Sequence, residues 1–201
     1  METVATQTER LSLQDQMKDM SFNEVKVSQN TTTRKLAGAL AHVARSRRSV
    51  NISALSPANV NTAIKAVAVA RDYVKDDGLE IAVSVEFRDE TRRSVALKLV
   101  NFDRRFENAS EHTYNVGKTS KPSTLAGAIA ARLRENHQPV LSCVGAGSLA
   151  RAITAVCVTA NYLKKEDKGA VFVVPFFTDE KKVGSEESIS ILNMQIVQID
   201  V

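Results

Sequence analysis

The sequence predicts an α+β fold, an α/β sandwich of two tandem β-α-β-α-β-β units packed against each other as an intramolecular pseudo-dimer. Three observations lead there. Leu36-Ala37-Gly38-Ala39-Leu40 returns as Leu125-Ala126-Gly127-Ala128-Ile129, and the match runs on at a constant offset of 89 residues through Ile64/Ile153, Val67/Val156, Tyr73/Tyr162 and Phe87/Phe176. Of the 52 ungapped positions, 16 are identical and about a third of the others exchange one apolar residue for another, the signature of an internal repeat. Within each copy the apolar period switches between strand and helix spacing in the same order. Units of this size bury a thin core alone, which favours packing of one copy on the other.

The first copy begins with Asn23 to Ser28, which alternates like a strand. Thr31 to Thr33 offer capping hydroxyls to a helix whose Leu36, Ala39, Leu40 and Val43 make one apolar face. Ser49 to Leu55 reads as a short strand, and Pro57 suits the first turn of a second helix running to about Val74. Asp77-Gly78 turns into a strand from Leu79 to Phe87, and Asp89 to Arg93 turns into another from Ser94 to Phe102. The second copy repeats this with a strand at His112 to Gly117, a helix at Pro122 to Glu135 and a strand at Val140 to Val144. A helix from about Ser148 to Leu163 and strands at Ala170 to Phe177 and Ser188 to Ile199 complete it, with a longer last hairpin because Lys181 to Ser185 has no full counterpart. The expected division is an N-terminal arm over 1–21, a first unit over 22–103, a polar linker over 104–111 and a second unit over 112–201. Two crossover helices per unit imply parallel neighbouring strands, closed by an antiparallel hairpin.

Composition is that of a globular protein, with 43% hydrophobic and 25% charged residues and no Trp. The net charge of +4 divides into −2 over residues 1–29, +4 over 30–111 and +2 over 112–201, which permits a nucleic-acid partner without demanding one. Cys143 and Cys157 lie in apolar runs with Ala54 and Ala68 as their counterparts, so they read as free core thiols in a reducing, cytoplasmic setting. No stretch approaches the length of a membrane span.

A pattern now carries a resemblance. A strand ending in Val-Ser, a turn holding Pro or Thr, LAGA-[LI], then GAGSLARAITAV, a Tyr-ended helix and PFFTD before a final hairpin resembles the stage V sporulation protein S family. That family is similar in fold to Alba, a small chromatin- and RNA-binding domain. The resemblance covers Phe22 to Phe102 and His112 to Val201, and is closer in the second copy, with Gly145-Ala146-Gly147, Ala150, Ile153, Ala155-Val156, Pro175 and Thr178-Asp179. In the first, Ser56-Pro57-Ala58 replaces the glycine turn and Glu86 stands for the proline. The resemblance implies a nucleic-acid-binding type of fold, often dimeric.

It also implies where basic residues would meet a phosphate backbone. Lys118 and Lys121 sit in the turn between the first strand and helix of the second copy, with Arg34 and Lys35 in the region of the matching turn in the first. Arg92-Arg93 and Lys181-Lys182 lie at or near hairpin tips, among diluting acids such as Glu86, Asp89, Glu180, Glu186 and Glu187. Gly145-x-Gly147-x-x-Ala150 follows a strand and opens a helix, the layout of a dinucleotide fingerprint. No acidic residue closes the next strand before Asp179 and the first copy lacks both glycines, so a nucleotide cofactor is not expected. The turn reads either as tight packing or as a phosphate seat, with the Gly147 and Ser148 amides as donors.

Arg45, Arg47 and Arg48 end the first helix, where cations favour its dipole. His42, His112 and His137 stand at unrelated places, and no metal-ligating or nucleophile motif appears, so neither catalysis nor a metal is expected. Two function classes remain. One is a non-enzymatic nucleic-acid binder, DNA or RNA unresolved. The other is an interaction protein held in a larger assembly such as a cytoskeletal or axonemal filament, where Leu11, Leu13, Met17 and Met20 of the arm would meet a protein partner and further self-association is open.

Overall fold

The computed structural model describes residues 24–89, 91, 94–107, 112–181 and 188–200, with the backbone alone at Lys181. The arm, Arg92, Arg93 and Lys182 lie outside the described residues. The first unit is β1 (Glu24–Lys26), α1 (Thr33–Arg45), β2 (Val50–Ser53), α2 (Pro57–Tyr73), β3 (Glu80–Phe87) and β4 (Val95–Phe102). The second is β5 (Thr113–Val116), α3 (Pro122–Arg134), β6 (Val140–Cys143), α4 (Ala146–Lys165), β7 (Ala170–Lys181) and β8 (Ser188–Ile199). The expected order occurs twice, and the second hairpin is the longer, with strands of 12 residues against 8.

All eight strands form one sheet in the order β1-β2-β4-β3-β7-β8-β6-β5. β1 runs parallel to β2 and β5 to β6, as the first crossover of each unit requires, and the remaining neighbours are antiparallel; the second crossover does not join neighbours as expected, because β4 lies between β2 and β3, and β8 between β6 and β7. The helices cover one face, where Leu40, Ile64, Ile81 and Leu97 of the first unit and Ile129, Leu141, Ile153 and Ile196 of the second join one core. Matching ion pairs tie the end of the first helix of each unit to the turn after the second: Arg45 Nε donates to Asp77 at 2.8 Å, and Arg134 Nε to Glu166 at 3.0 Å.

The units meet where β3 pairs with β7 through Val83↔Val173 and Ser84↔Phe172. The structure corrects the repeat alignment here. At an offset of 89, Val83 would match Phe172, yet Val83 lies in the core under the helices and Phe172 in the cluster on the opposite face. Gly169 supplies the extra residue: its φ of +61 turns the chain between Asp167 and β7. From there Val83 matches Val173, Phe87 matches Phe177, and the counterpart of Pro175 is Val85, not Glu86. The Val83–Val173 pair then lies on a pseudo-two-fold axis, the self-complementary geometry of a symmetric dimer interface.

Away from that pair the symmetry is broken. Arg71 of α2 is 3% exposed and Glu80 fully buried; the guanidinium grips the carboxylate through Nε at 2.6 Å and Nη2 at 2.7 Å. Arg71 Nη1 also donates to the Pro175 carbonyl of the other unit at 3.1 Å. Glu80 in turn accepts from the Ile81 and Phe106 amides at 3.0 and 3.1 Å. One buried pair thus binds α2, β3, the connecting segment and β7. The segment expected to be a polar linker carries a buried anchor: the Phe106 ring stands edge-on to Phe102 at 5.1 Å, and Phe102 to Phe172 at 5.2 Å, on the sheet face away from the helices.

Both cysteines are buried without a disulfide, as their apolar setting predicts. Burial pushes each thiol up to about 12, with the charge of Glu86 adding to the effect at Cys157.

Three outcomes follow from this packing. Glu80→Ala removes the buried carboxylate that the Arg71 guanidinium grips and is expected to cost about 3–5 kcal/mol in urea unfolding, whereas Arg71→Met/Glu80→Leu recovers most of that loss. Gly169→Ala places a Cβ 2.4 Å from the Ile199 carbonyl oxygen at a left-handed φ, and should cost at least about 2 kcal/mol by the same measurement. Because the thiols stay protonated in the fold and ionise when unfolded, stability should fall as pH rises above about 9. Comparison of urea midpoints at neutral and alkaline pH should show a smaller fall in Cys143→Ala/Cys157→Ala, which installs the alanines that the first unit already carries.

Candidate nucleic-acid interface

The second unit gathers most of its candidate residues at the carboxyl ends of β5 and β6, where parallel strands hand over to helices. The Gly117 amide donates to Ser120 Oγ at 3.0 Å and the Ser120 amide to the Gly117 carbonyl at 3.2 Å, closing a tight turn. That turn sets Lys118 against the start of α4, where a Cβ on Gly147 would lie 3.5 Å from Lys118 Cγ. Lys118 and Lys121 are exposed, and neither makes an ion pair among the described residues.

α4 begins at Ala146, two residues earlier than the sequence suggests, so Gly147 and Ser148 both lie in its first turn. Gly145 is the N-cap at a φ of +86 and brings no side chain. The amides of Ala146, Gly147 and Ser148 therefore point out of the helix with no intrahelical acceptor. The Ser148 hydroxyl is spent inward, donating to the Val144 and Gly145 carbonyls at 2.8 Å each, so only its amide faces the turn. α3 starts in a similar way: Lys121 is its N-cap with no side-chain cap bond, and Pro122 opens the helix. Two uncapped helix N-termini and two free lysines thus occupy one end of the unit, a field suited to an anion.

The β7–β8 hairpin reaches the same end. Cys143 of β6 lies opposite Leu192, and the hairpin continues past it through Thr178↔Ile191, Asp179↔Ser190, Glu180↔Ile189 and Lys181↔Ser188. Its tip beyond Lys181 is outside the described residues.

The first unit is built differently at the corresponding place. Thr32 caps α1 by accepting from the Lys35 amide at 3.4 Å, and Ser56 caps α2 by accepting from the Asn59 amide at 3.2 Å. Asn59 Nδ2 donates to the Val27 carbonyl at 2.9 Å, lacing the two turns together. In each of these helices a hydroxyl occupies one first-turn amide whose counterpart in the second unit has no side-chain cap. The counterparts of Lys118 and Lys121 are Gln29 and Thr32, while Arg34 and Lys35 are exposed in the first turn of α1 rather than in the loop. Because β3 and β7 are antiparallel, their hairpins leave the central pair in opposite directions. The candidate residues therefore fall into two separate groups.

Two readings of the sequence are corrected. The arginine cluster after α1 is largely ion-paired rather than a bare complement to the helix dipole: Arg45 bonds Asp77 and donates to the Tyr73 carbonyl at 2.9 Å, and Arg47, at a φ of 54, pairs with Asp103. His112 and His137, far apart in sequence, stand edge to face with ring centroids 4.7 Å apart at the entries to β5 and β6. Among the described residues no group of three or more His, Cys, Asp or Glu could hold a metal, and no helix is long and apolar enough to cross a membrane. The difference in capping went unread in the sequence, although its signal was there in Thr32 and Ser56 facing Lys121 and Gly145 across the repeat.

The twofold β-α-β-α-β-β order is matched by a twofold result when the sequence is compared with known families. A family model described as stage V sporulation protein S matches residues 23–101 and again 112–198. The two matches together span most of the chain and fall one on each structural unit, so this chain belongs to the stage V sporulation protein S family and carries it as two tandem copies.

Proposed function

We propose that this tandem Alba-like protein is a non-enzymatic nucleic-acid binder that holds the phosphate backbone through its second copy. Family membership points to a small non-enzymatic protein. The observation that carries the polynucleotide reading is the difference in capping: no side chain caps either helix N-terminus of the second copy, where Lys118 stands, whereas Thr32 and Ser56 each accept from one first-turn amide in the first. A backbone phosphate would accept from the Gly147 and Ser148 amides while Lys118 and Lys121 supply charge, and the β7–β8 hairpin would lie along the strand. The cluster has few aromatic platforms, so binding rests on phosphates and not on stacked bases.

A second reading, an interaction protein held in a larger cytoskeletal or axonemal assembly, draws on two observations. The densest basic cluster is neutralised by Asp77 and Asp103, and Leu55 and Val144, counterparts in the two copies, are 69% and 63% exposed.

Fluorescence anisotropy of labelled single- and double-stranded DNA and RNA separates them. Binding should weaken steeply with salt, and Lys118→Ala/Lys121→Ala should lower affinity at least about tenfold and reduce the salt slope by about 2. Arg34→Ala/Lys35→Ala should have a smaller effect. Absence of binding to any of the four even at low salt overturns the polynucleotide reading and leaves the second.

A further inference from the structure

The central ladder of β3 and β7 is two residue pairs long, so the strands diverge on both sides of the pseudo-two-fold axis. On one side the gap is filled by Arg71, which donates to Glu80 and to the Pro175 carbonyl. The counterparts of Arg71, Glu80 and Pro175 across the axis are Ala160, Ala170 and Val85. These three residues line a cavity of about 200 Å³ under the C-terminal half of α4. The molecule therefore holds the same guanidinium site twice, once occupied by its own side chain and once with both charged partners trimmed to methyl groups.

Acceptors remain in the empty copy. The Val85 carbonyl matches that of Pro175. Glu86 also lines the cavity, and its carboxylate makes no hydrogen bond or ion pair among the described residues. Its charge reaches the thiol of Cys157, three residues before Ala160 on α4. Lys164 lines the cavity too, and an adjoining recess of about 480 Å³, which shares Glu86, Ala160 and Lys164, adds Arg88 and Asp89. These four charges balance, so a ligand is selected here by hydrogen-bond geometry rather than by net field. A planar guanidinium fork meets a carboxylate and a carbonyl together; a spherical ammonium does so poorly.

We propose that this cavity receives the guanidinium of an arginine presented by a partner polypeptide, with the side chain in the inner cavity and the flanking chain in the recess. The arginine donates to the Val85 carbonyl and the Glu86 carboxylate, as Arg71 does to Pro175 and Glu80. This site is separate from the phosphate-binding turn and stands or falls independently of it.

Isothermal titration of the full chain with the peptides Gly-Gly-Arg-Gly-Gly and Gly-Gly-Lys-Gly-Gly, and with N-acetyl-arginine amide, tests the proposal. Saturable binding of the arginine peptide, at least about tenfold tighter than the lysine peptide and tighter than the arginine amide, is expected. Ala160→Arg/Ala170→Glu builds the internal pair into the cavity and should abolish peptide binding while leaving nucleic-acid affinity unchanged. Glu86→Gln, which alters no core residue, should weaken the arginine peptide severalfold and serves if the double variant does not fold. Equal binding of the two peptides, or full binding by a folded double variant or by Glu86→Gln, overturns the proposal. An arginine amide that binds as tightly as the peptide overturns the polypeptide source.

Discussion

β3 and β7 touch through two residue pairs, and the position of every other element relative to its partner unit depends on that contact. Two pairs of backbone groups contribute a net stabilisation of only about 1 kcal/mol per hydrogen bond, far too little to orient two units alone. Burial supplies the rest: the core under the helices runs unbroken from one copy into the other, and Phe102, Phe106 and Phe172 close the opposite face. Apolar burial is non-directional, however, and would tolerate sliding. The bidentate Arg71–Glu80 pair has direction, and its third bond, to Pro175, crosses between the units. Proline suits this place because its backbone has a carbonyl to offer and no N–H to satisfy.

A fused pair of copies is free of the constraint that a symmetric dimer obeys. In a homodimer one sequence must serve both sides of the axis, so a buried charge pair would occur twice. Here it occurs once, and the other side is built from Ala160 and Ala170. The same freedom appears at the helix N-termini, where hydroxyls cap the first copy and leave the second open. Rigid turns laced by Ser56 and Asn59 belong to the copy that anchors; open amides belong to the copy whose lysines stand free.

Charge counted along the chain is a poor guide to the field that the folded protein presents. The stretch around Arg45 to Arg48 is the most basic, yet Arg45 and Arg47 are turned to Asp77 and Asp103, residues distant in sequence. Lys118 and Lys121 are sparser and carry no counter-charge among the described residues, so their field is less cancelled. The usable field depends on which cations lack partners.

The sequence by itself determined the repeat, the element order and the antiparallel hairpin that closes each unit, because apolar periodicity and cap residues act over a few neighbours and are written locally; that β4 and β8 insert beside β2 and β6 was decided by strand pairing in the fold. It also placed Lys118 and the Gly145–Ser148 turn in equivalent loops, which the fold sets side by side. Identity between the copies was no guide to register after Gly169: Val85/Val174 and Phe87/Phe176 match at one offset as well as Val83/Val173 and Phe87/Phe177 do at the next. Only the tertiary structure decided between them, since a slip of one residue exchanges the faces of a strand, and the two faces of this sheet bury different clusters. The Arg71–Glu80–Pro175 bridge, the vacant counterpart beside Glu86 and the His112–His137 contact were likewise settled by three-dimensional proximity, which depends on how strands pair across the axis and leaves no local mark in the chain.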